Sequence, residues 1–420
     1  MTKIPAVITE RAKKSARLGR RAIEVGTHTA SGLMGEIAHA SDFAPQSDDE
    51  FIAAVYFAAG IDSIYQLEQW LWPFEQLAER LRGDGLGDQP FGIITRDIRC
   101  AQRLRAQTDL PVRFSRMTAG FETFMSSRRL RLVFYVNQAT GNFQALKFPR
   151  PAHVHLSHGE SEKISMISNQ LKAYDYVFTA GQAARDRIDH TLIGMDAERM
   201  VDVGRPQLDR PRRVPHDWQE FDRAAPAGST VFYVPTWEGD SPAMAYGTLA
   251  HNGETFVSAL FTAGYRVIFR PHPRTGALDP KFAKTAEAVK AAVASNPRGF
   301  VDWTSDVSWQ LDVADFALAE MSSVAFDWLS ARKPLIMVAP HNPGAEVLPG
   351  GLFDKCLTVE PGEEPELIRL LEKAATLADS NQEISGHYLG NTCARDQISR
   401  FIRASTGVIR TRERRLRPRD

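Results

Sequence analysis

Two short stretches hold the residues best suited to chemistry. Arg270-Pro271-His272-Pro273-Arg274 puts two guanidinium groups and an imidazole within five residues. Its two prolines fix the backbone that aims them. Guanidinium forks grip phosphate oxygens in pairs, so this set suits a diphosphate; the plainer reading is a rigid basic turn on the surface. Further on, Ser322-Ser323 follows the apolar run Phe316-Ala317-Leu318 and precedes Ala325, Trp328 and Leu329 at helical spacing. A helix that starts where a buried strand ends offers unpaired N–H groups to an anion, here with two hydroxyls beside them. The plainer reading is that the serines only cap the helix. Asp327, in the same helix, either bonds a ligand hydroxyl or favours the positive helix end.

A third candidate is His158, next to Gly159 after the apolar alternation His153-Val154-His155-Leu156. A neutral imidazole can take a proton from an attacking hydroxyl. A histidine that only bonds backbone is the ordinary alternative. Zinc held by His153, His155 and His158 is weakly supported, because no cysteine partners or HExxH-like pattern accompany them. Arg205, in Gly204-Arg205-Pro206, could reach a phosphate, or belong to a plain turn. Thr236 and Trp237 stand in the turn after another apolar run, Thr230–Val234.

These residues sit where strands end, which sets the architecture expected. Phe91–Thr95, Pro111–Phe114, Arg131–Asn137, His153–Leu156, Tyr174–Thr179 and Met200–Val203 read as strands, with helices between them. Thr230–Val234, Arg266–Arg270, Phe300–Trp303, Phe316–Leu318 and Leu335–Val338 form a second set. Phe51 to Arg82 reads as helical. Strands alternating with helices in two halves predict an α/β protein of two doubly wound, Rossmann-like domains facing a cleft. The divisions expected are a basic, partly disordered leader (1–48), a first domain (49–210), a Pro- and Arg-rich linker (211–228), a second domain (229–404) and a charged tail (405–420), disordered over 410–420.

The chain's 420 residues suit two domains. Lys+Arg and Asp+Glu both total 51, so no global charge points to nucleic acid or another polyanion. Three scattered cysteines fit a reducing cytoplasm. The longest apolar run, Phe51–Ile61, is about half a membrane span, and the first residues lack the apolar core of a signal peptide. The leader carries Lys3, Arg11, Lys13, Lys14, Arg17, Arg20 and Arg21 against Glu10 and Glu24. Such a segment can rest on anionic lipid, or be a solvated extension.

Taken together, LSHGESEK, YDYVFTAG, VGRPQLD, YVPTWEG, FRPHPRTG and AEMSSVAFDWLSARKPLIMVAP, in that order, resemble the CDP-glycerol glycerophosphotransferase family. These are the teichoic-acid-type polymerases and primases of bacteria. The likeness covers residues 132–402. It implies a GT-B fold, with a helical N-terminal segment before it. It makes His158 the counterpart of the family's catalytic histidine and His272 that of the RPHP histidine facing the donor diphosphate. It places Ser322, Ser323 and Asp327 in the element around the donor, and Thr236 and Trp237 near the nucleotide. The chain departs from the pattern at Ser157, Glu160-Ser161, Glu238 and Glu320-Met321.

The reaction implied is transfer of glycerol phosphate, or a related polyol phosphate, from a CDP-alcohol to a hydroxyl of a lipid-linked or polymeric acceptor. The product would be a teichoic-acid-like or capsular polymer. The enzyme would work in the cytoplasm, peripheral to the inner face of the membrane. Arg205, Arg270, Arg274, Ser322 and Ser323 would hold the diphosphate, so neither a metal nor another cofactor is expected. The rivals are a GT-B glycosyltransferase using a nucleotide sugar, with Glu160 or Glu320 on sugar hydroxyls, and a nucleotide-binding relative without turnover.

Overall fold

The computed structural model describes residues 39–157, 159–163, 166–304, 307–376, 380–393 and 396–417. Strands in these residues form two sheets. The first contains β1 (Ala53–Phe57), β2 (Phe91–Thr95), β3 (Val112–Phe114), β4 (Leu132–Tyr135), β5 (Ala152–His155), β6 (Tyr176–Thr179) and β7 (Met200–Asp202). Its order is β3-β2-β1-β4-β5-β6-β7. The second contains β8 (Thr230–Val234), β9 (Arg266–Phe269), β10 (Gly299–Val301), β11 (Phe316–Ala319), β12 (Leu335–Val338) and β13 (Leu357–Val359), ordered β10-β9-β8-β11-β12-β13. The described strand pairs are parallel.

The second sheet shows why its strands read as continuous apolar runs. Phe232, Val234, Ile268, Ala317, Ala319, Leu335 and Met337 bury on one face. Val231, Tyr233, Val267, Phe269, Leu318, Ile336 and Val338 bury on the other. Both faces are covered by helices, so neither can be polar. The strand order reverses between β8 and β11, which pair with Ala319 opposite Val234. At such a switch point the loops after the two strands diverge to opposite faces and leave a crevice.

The chain forms two compact units. One contains the described residues up to His155 together with Ser405 onward; the other is Leu156–Ala404.

Several expectations are corrected. Phe51–Phe57 is not helical: β1 lies inside its sheet, between β2 and β4, every residue from Ala53 to Phe57 buried. A strand covered on both faces has no period, so its apolar run imitates a buried helix. The C-terminal run is not disordered up to Leu416, because one helix spans Asp396–Leu416. Phe401, Ser405, Val408 and Ile409 make its buried side, and Arg131 donates to the Glu413 carboxylate. Within residues 211–228 a helix, His216–Ala224, buries Trp218 against Phe300 and Trp309. The basic leader lies outside the described residues up to position 38; Ala40–Phe43 is a single 3₁₀ turn.

Candidate functional site

The crevice between the loops after β8 and β11 is organised by one carboxylate. Glu320, directly after β11, is fully buried. It accepts from the backbone N–H of Thr236 at 2.8 Å and of Thr248 at 2.9 Å, and from the Thr248 hydroxyl at 2.5 Å. Those three bonds tie both ends of the long β8 loop to the end of β11. Burial raises the Glu320 carboxyl to about 7, although its three donors and nearby Lys163 favour the charged form. The Lys163 ammonium is lowered to about 8, mainly by burial, and lies 5.3 Å from the Tyr246 ring centre.

Two hydroxyls at this switch point lack partners among the described residues. Thr236 Oγ1 and Ser322 Oγ are both buried and unbonded. Ser322 has extended backbone at the start of the Ser323–Trp328 helix, and its side chain makes no capping bond. The idea that it serves only as a cap therefore fails for Ser322. Buried polar groups are almost always bonded, so two unbonded hydroxyls at a switch point call for an explanation. Both oxygens are shielded in this state.

The loop after β9 carries the remaining basic residues. Arg270 is anchored behind it, donating to buried Asp302 at 2.6 Å and to Thr304 at 3.3 Å. His272 accepts at Nδ1 from the Arg274 backbone N–H at 3.0 Å, which leaves Nε2–H as the ring's free donor. Burial, then the charges of Lys163 and Arg274, push its pKa down to about 4, so it is neutral at pH 7. The Trp237 ring stacks near His272 at 6.3 Å between ring centres, and the Arg274 guanidinium sits 3.7 Å over it.

Glu238 explains how this loop is fixed. Its carboxylate accepts from the backbone N–H groups of Gly276 (2.9 Å), Leu278 (2.6 Å) and Asp279 (3.0 Å). The acidic residue that departs from the family's pattern is thus an anchor for the loop behind Arg274. Glu238→Ala removes three charge-assisted bonds at partly exposed positions. The expected cost is about 1–3 kcal/mol, read as a lower denaturant midpoint, with faster amide exchange confined to residues 276–279. Unchanged exchange there would show that the carboxylate does not hold the loop.

The third group comes from the segment after β5. His158 lies outside the described residues; its neighbours Ser157 and Gly159 are described. Ser157 has φ of 62°, the left-handed region. A Cβ on Gly159 would come within 2.8 Å of Ser323 Cβ, so only glycine lets that turn approach the serine helix. Arg205 and Asp327, expected as separate ligand contacts, form one ion pair: Nε–Oδ1 2.9 Å and Nη2–Oδ2 3.1 Å. Of the zinc candidates, His153 is occupied at both nitrogens, by Tyr135 OH at 2.7 Å and the Phe148 carbonyl at 2.8 Å.

Sequence reasoning missed the knot around the first loop. Glu160 pairs with Arg187, and its carboxyl is raised by burial, which Arg187 opposes. Glu162 accepts from the Leu352 N–H at 3.0 Å and from Tyr388 OH. Glu320 stood out as a departure from a pattern and as a sugar contact in the rival reading, not as the anchor of the β8 loop. The available signal was its acidic side chain directly after an apolar strand, where a charge needs a partner.

The family model of CDP-glycerol:poly(glycerophosphate) glycerophosphotransferase matches residues 128–382, more than half of the chain. No curated protein matches. The wall teichoic acid polymerase TagF, in its H444N form with CDPG, superposes with a TM-score of 0.53 at 14% identity, over 96% of this chain and 99% of that one. A glycosyltransferase from Rickettsia africae gives 0.53 at 11% identity, over 87% and 99%. A provisionally named UDP-N-acetylglucosamine 2-epimerase from Listeria monocytogenes gives 0.58 at 12%, over 88% and 99%. At these identities the likeness shows the fold: α/β and GT-B-like.

Proposed function

The chain belongs to the CDP-glycerol:poly(glycerophosphate) glycerophosphotransferase family, and we propose that it moves glycerol phosphate, or a related polyol phosphate, from a CDP-alcohol to a hydroxyl of a lipid-linked or polymeric acceptor. The observation that carries this reading is the pair of unbonded buried hydroxyls, Thr236 and Ser322, at the switch point of the second sheet. They stand in the same unit as a neutral imidazole with a free N–H and a guanidinium held over an indole.

In the proposed reaction the acceptor oxygen attacks the β-phosphorus, the bond from that phosphorus to the CMP oxygen breaks, and CMP leaves. His158 takes the acceptor proton. Arg274, His272 Nε2–H, Thr236, Ser322 and Ser323 stabilise charge on the diphosphate, and Trp237 lies beside the nucleotide. Arg270 and Arg205 act from behind, through Asp302 and Asp327. The charge stabilisation is assigned to side chains, so a chelator is expected to leave the rate unchanged.

The test is CMP release by the purified protein from CDP-glycerol, with a glycerol-phosphate-primed acceptor. CDP-ribitol and UDP- and GDP-sugars run in parallel. Release from a CDP-alcohol alone supports the reading. Turnover of a nucleotide sugar in its place, or nucleotide binding without turnover on any acceptor, would replace it.

A further inference from the structure

The segment after β5 brings one cation to the crevice that the proposed reaction leaves unused. Lys163 is half-buried. Its ammonium makes no ion pair and no hydrogen bond among the described residues, and lies 5.3 Å from the centre of the Tyr246 ring. Groups from three loops of the same unit surround it: Glu320 after β11, Asp240 in the β8 loop and His272 in the β9 loop. Neither acid closes on it. Glu320 already accepts three bonds, from Thr236 and Thr248, and Asp240 is exposed. The lysine is nevertheless held in place. Its N–H donates to Ser161 Oγ at 3.2 Å, and its carbonyl accepts from Met166 at 2.9 Å. The preceding Glu162 is tied to the Leu352 N–H at 3.0 Å and to Tyr388 OH.

An ammonium drawn out of water with no anion beside it is costly, and an aromatic face offsets only part of that cost. The fold holds this cation next to Glu320, whose bonded partner Thr236 and near neighbour Ser322 carry the unbonded hydroxyls. We propose that the Lys163 ammonium contacts the diphosphate of the nucleotide donor and carries part of its charge, so that the lysine serves substrate and not the fold. A lysine suits this place because it offers a compact point charge with three donors. The inference rests on the transferase reading and adds a residue to it.

Binding of CDP-glycerol and of cytidine to the full-length protein is measured by calorimetry, beside CMP release. Lys163→Met should weaken CDP-glycerol roughly ten- to a hundredfold, the loss of one charge-assisted contact. Cytidine has no phosphate, and its affinity should stay within a few-fold. The variant should melt no lower than the parent, because what it removes is an unpaired cation. Burial holds the ammonium at about 8, although Glu320 and Asp240 favour its charged form. Affinity of the parent for CDP-glycerol should therefore fall as pH rises through 8. Lys163→Arg, whose guanidinium stays charged, should remove that fall. Parent-like binding of CDP-glycerol by Lys163→Met overturns the inference alone. An equal loss for cytidine assigns the lysine to the fold and overturns it too. So does slower CMP release at unchanged donor affinity, which would make the amine a base. A parent that binds no CDP-glycerol removes the transferase reading, and this inference with it.

Discussion

Replacing His158 by alanine is expected to slow CMP release roughly 10²–10⁴-fold, the usual contribution of a positioned general base. Donor affinity should stay within a few-fold, because the diphosphate contacts are assigned elsewhere. The pH profile separates this histidine from the other candidate. His272 is pushed down to about 4 by burial and by the surrounding cations. It is therefore neutral across the working range and cannot produce an acid limb near pH 6.5. The acid limb of the rate is assigned to the general base, so it should vanish in His158→Ala. His272→Ala should instead weaken donor binding and keep the limb. If the limb survives in His158→Ala and disappears in Glu320→Gln, the base assignment moves to Glu320.

Glu320→Gln should produce the largest loss of stability. An amide is the same size, but one of its two ends is a donor. Whichever way it turns, an NH₂ faces a backbone N–H that now has no acceptor. Such a buried mismatch costs about 2–4 kcal/mol. The cost should depend on pH. The Glu320 carboxyl is raised to about 7 in the fold, against an ordinary 4.5. Its contribution is present in full below the unfolded value and is lost as pH rises through 7, a swing of roughly 3 kcal/mol. The variant's deficit should therefore be greatest near pH 5 and small at pH 8. His272 has the opposite sign: its folded pKa is depressed, so its contribution grows as pH rises from about 4 to its unfolded value of 6.5. In the parent protein the two nearly cancel over that interval. In Glu320→Gln the histidine acts alone, and stability should rise with pH. Urea midpoints at several pH values measure this; a deficit independent of pH would show that Glu320 is ionised throughout.

Much of this organisation was legible in the residues. Five of the six strands of the second sheet were read from short apolar runs that end in turns, whereas β13 (Leu357–Val359) was missed, its three residues making too short a run. Thr236, His272 and Ser322 were singled out because each follows a buried strand, where the loops of such a sheet meet ligands. β1 was misread because burial on both faces erases the alternation that marks a strand. The C-terminal helix was misread because its arginines dominate the composition, while Val408 and Ile409 on its hidden side are few. The ion pairs were beyond reach. Arg205 with Asp327, and Arg270 with Asp302, join residues whose proximity only the fold creates, and each arginine looked like a ligand contact when read alone.

The division of the chain into units has a consequence for its synthesis. The unit that begins near the N-terminus also includes Ser405 onward. On the ribosome, the residues of that unit up to His155 emerge long before its closing helical segment, with the whole of the other unit made in between. Arg131 must wait for Glu413, and Val408 and Ile409 are absent while the rest of their unit is already outside the tunnel. A nonsense mutation just before codon 405 would therefore injure the unit that also contains the residues up to His155.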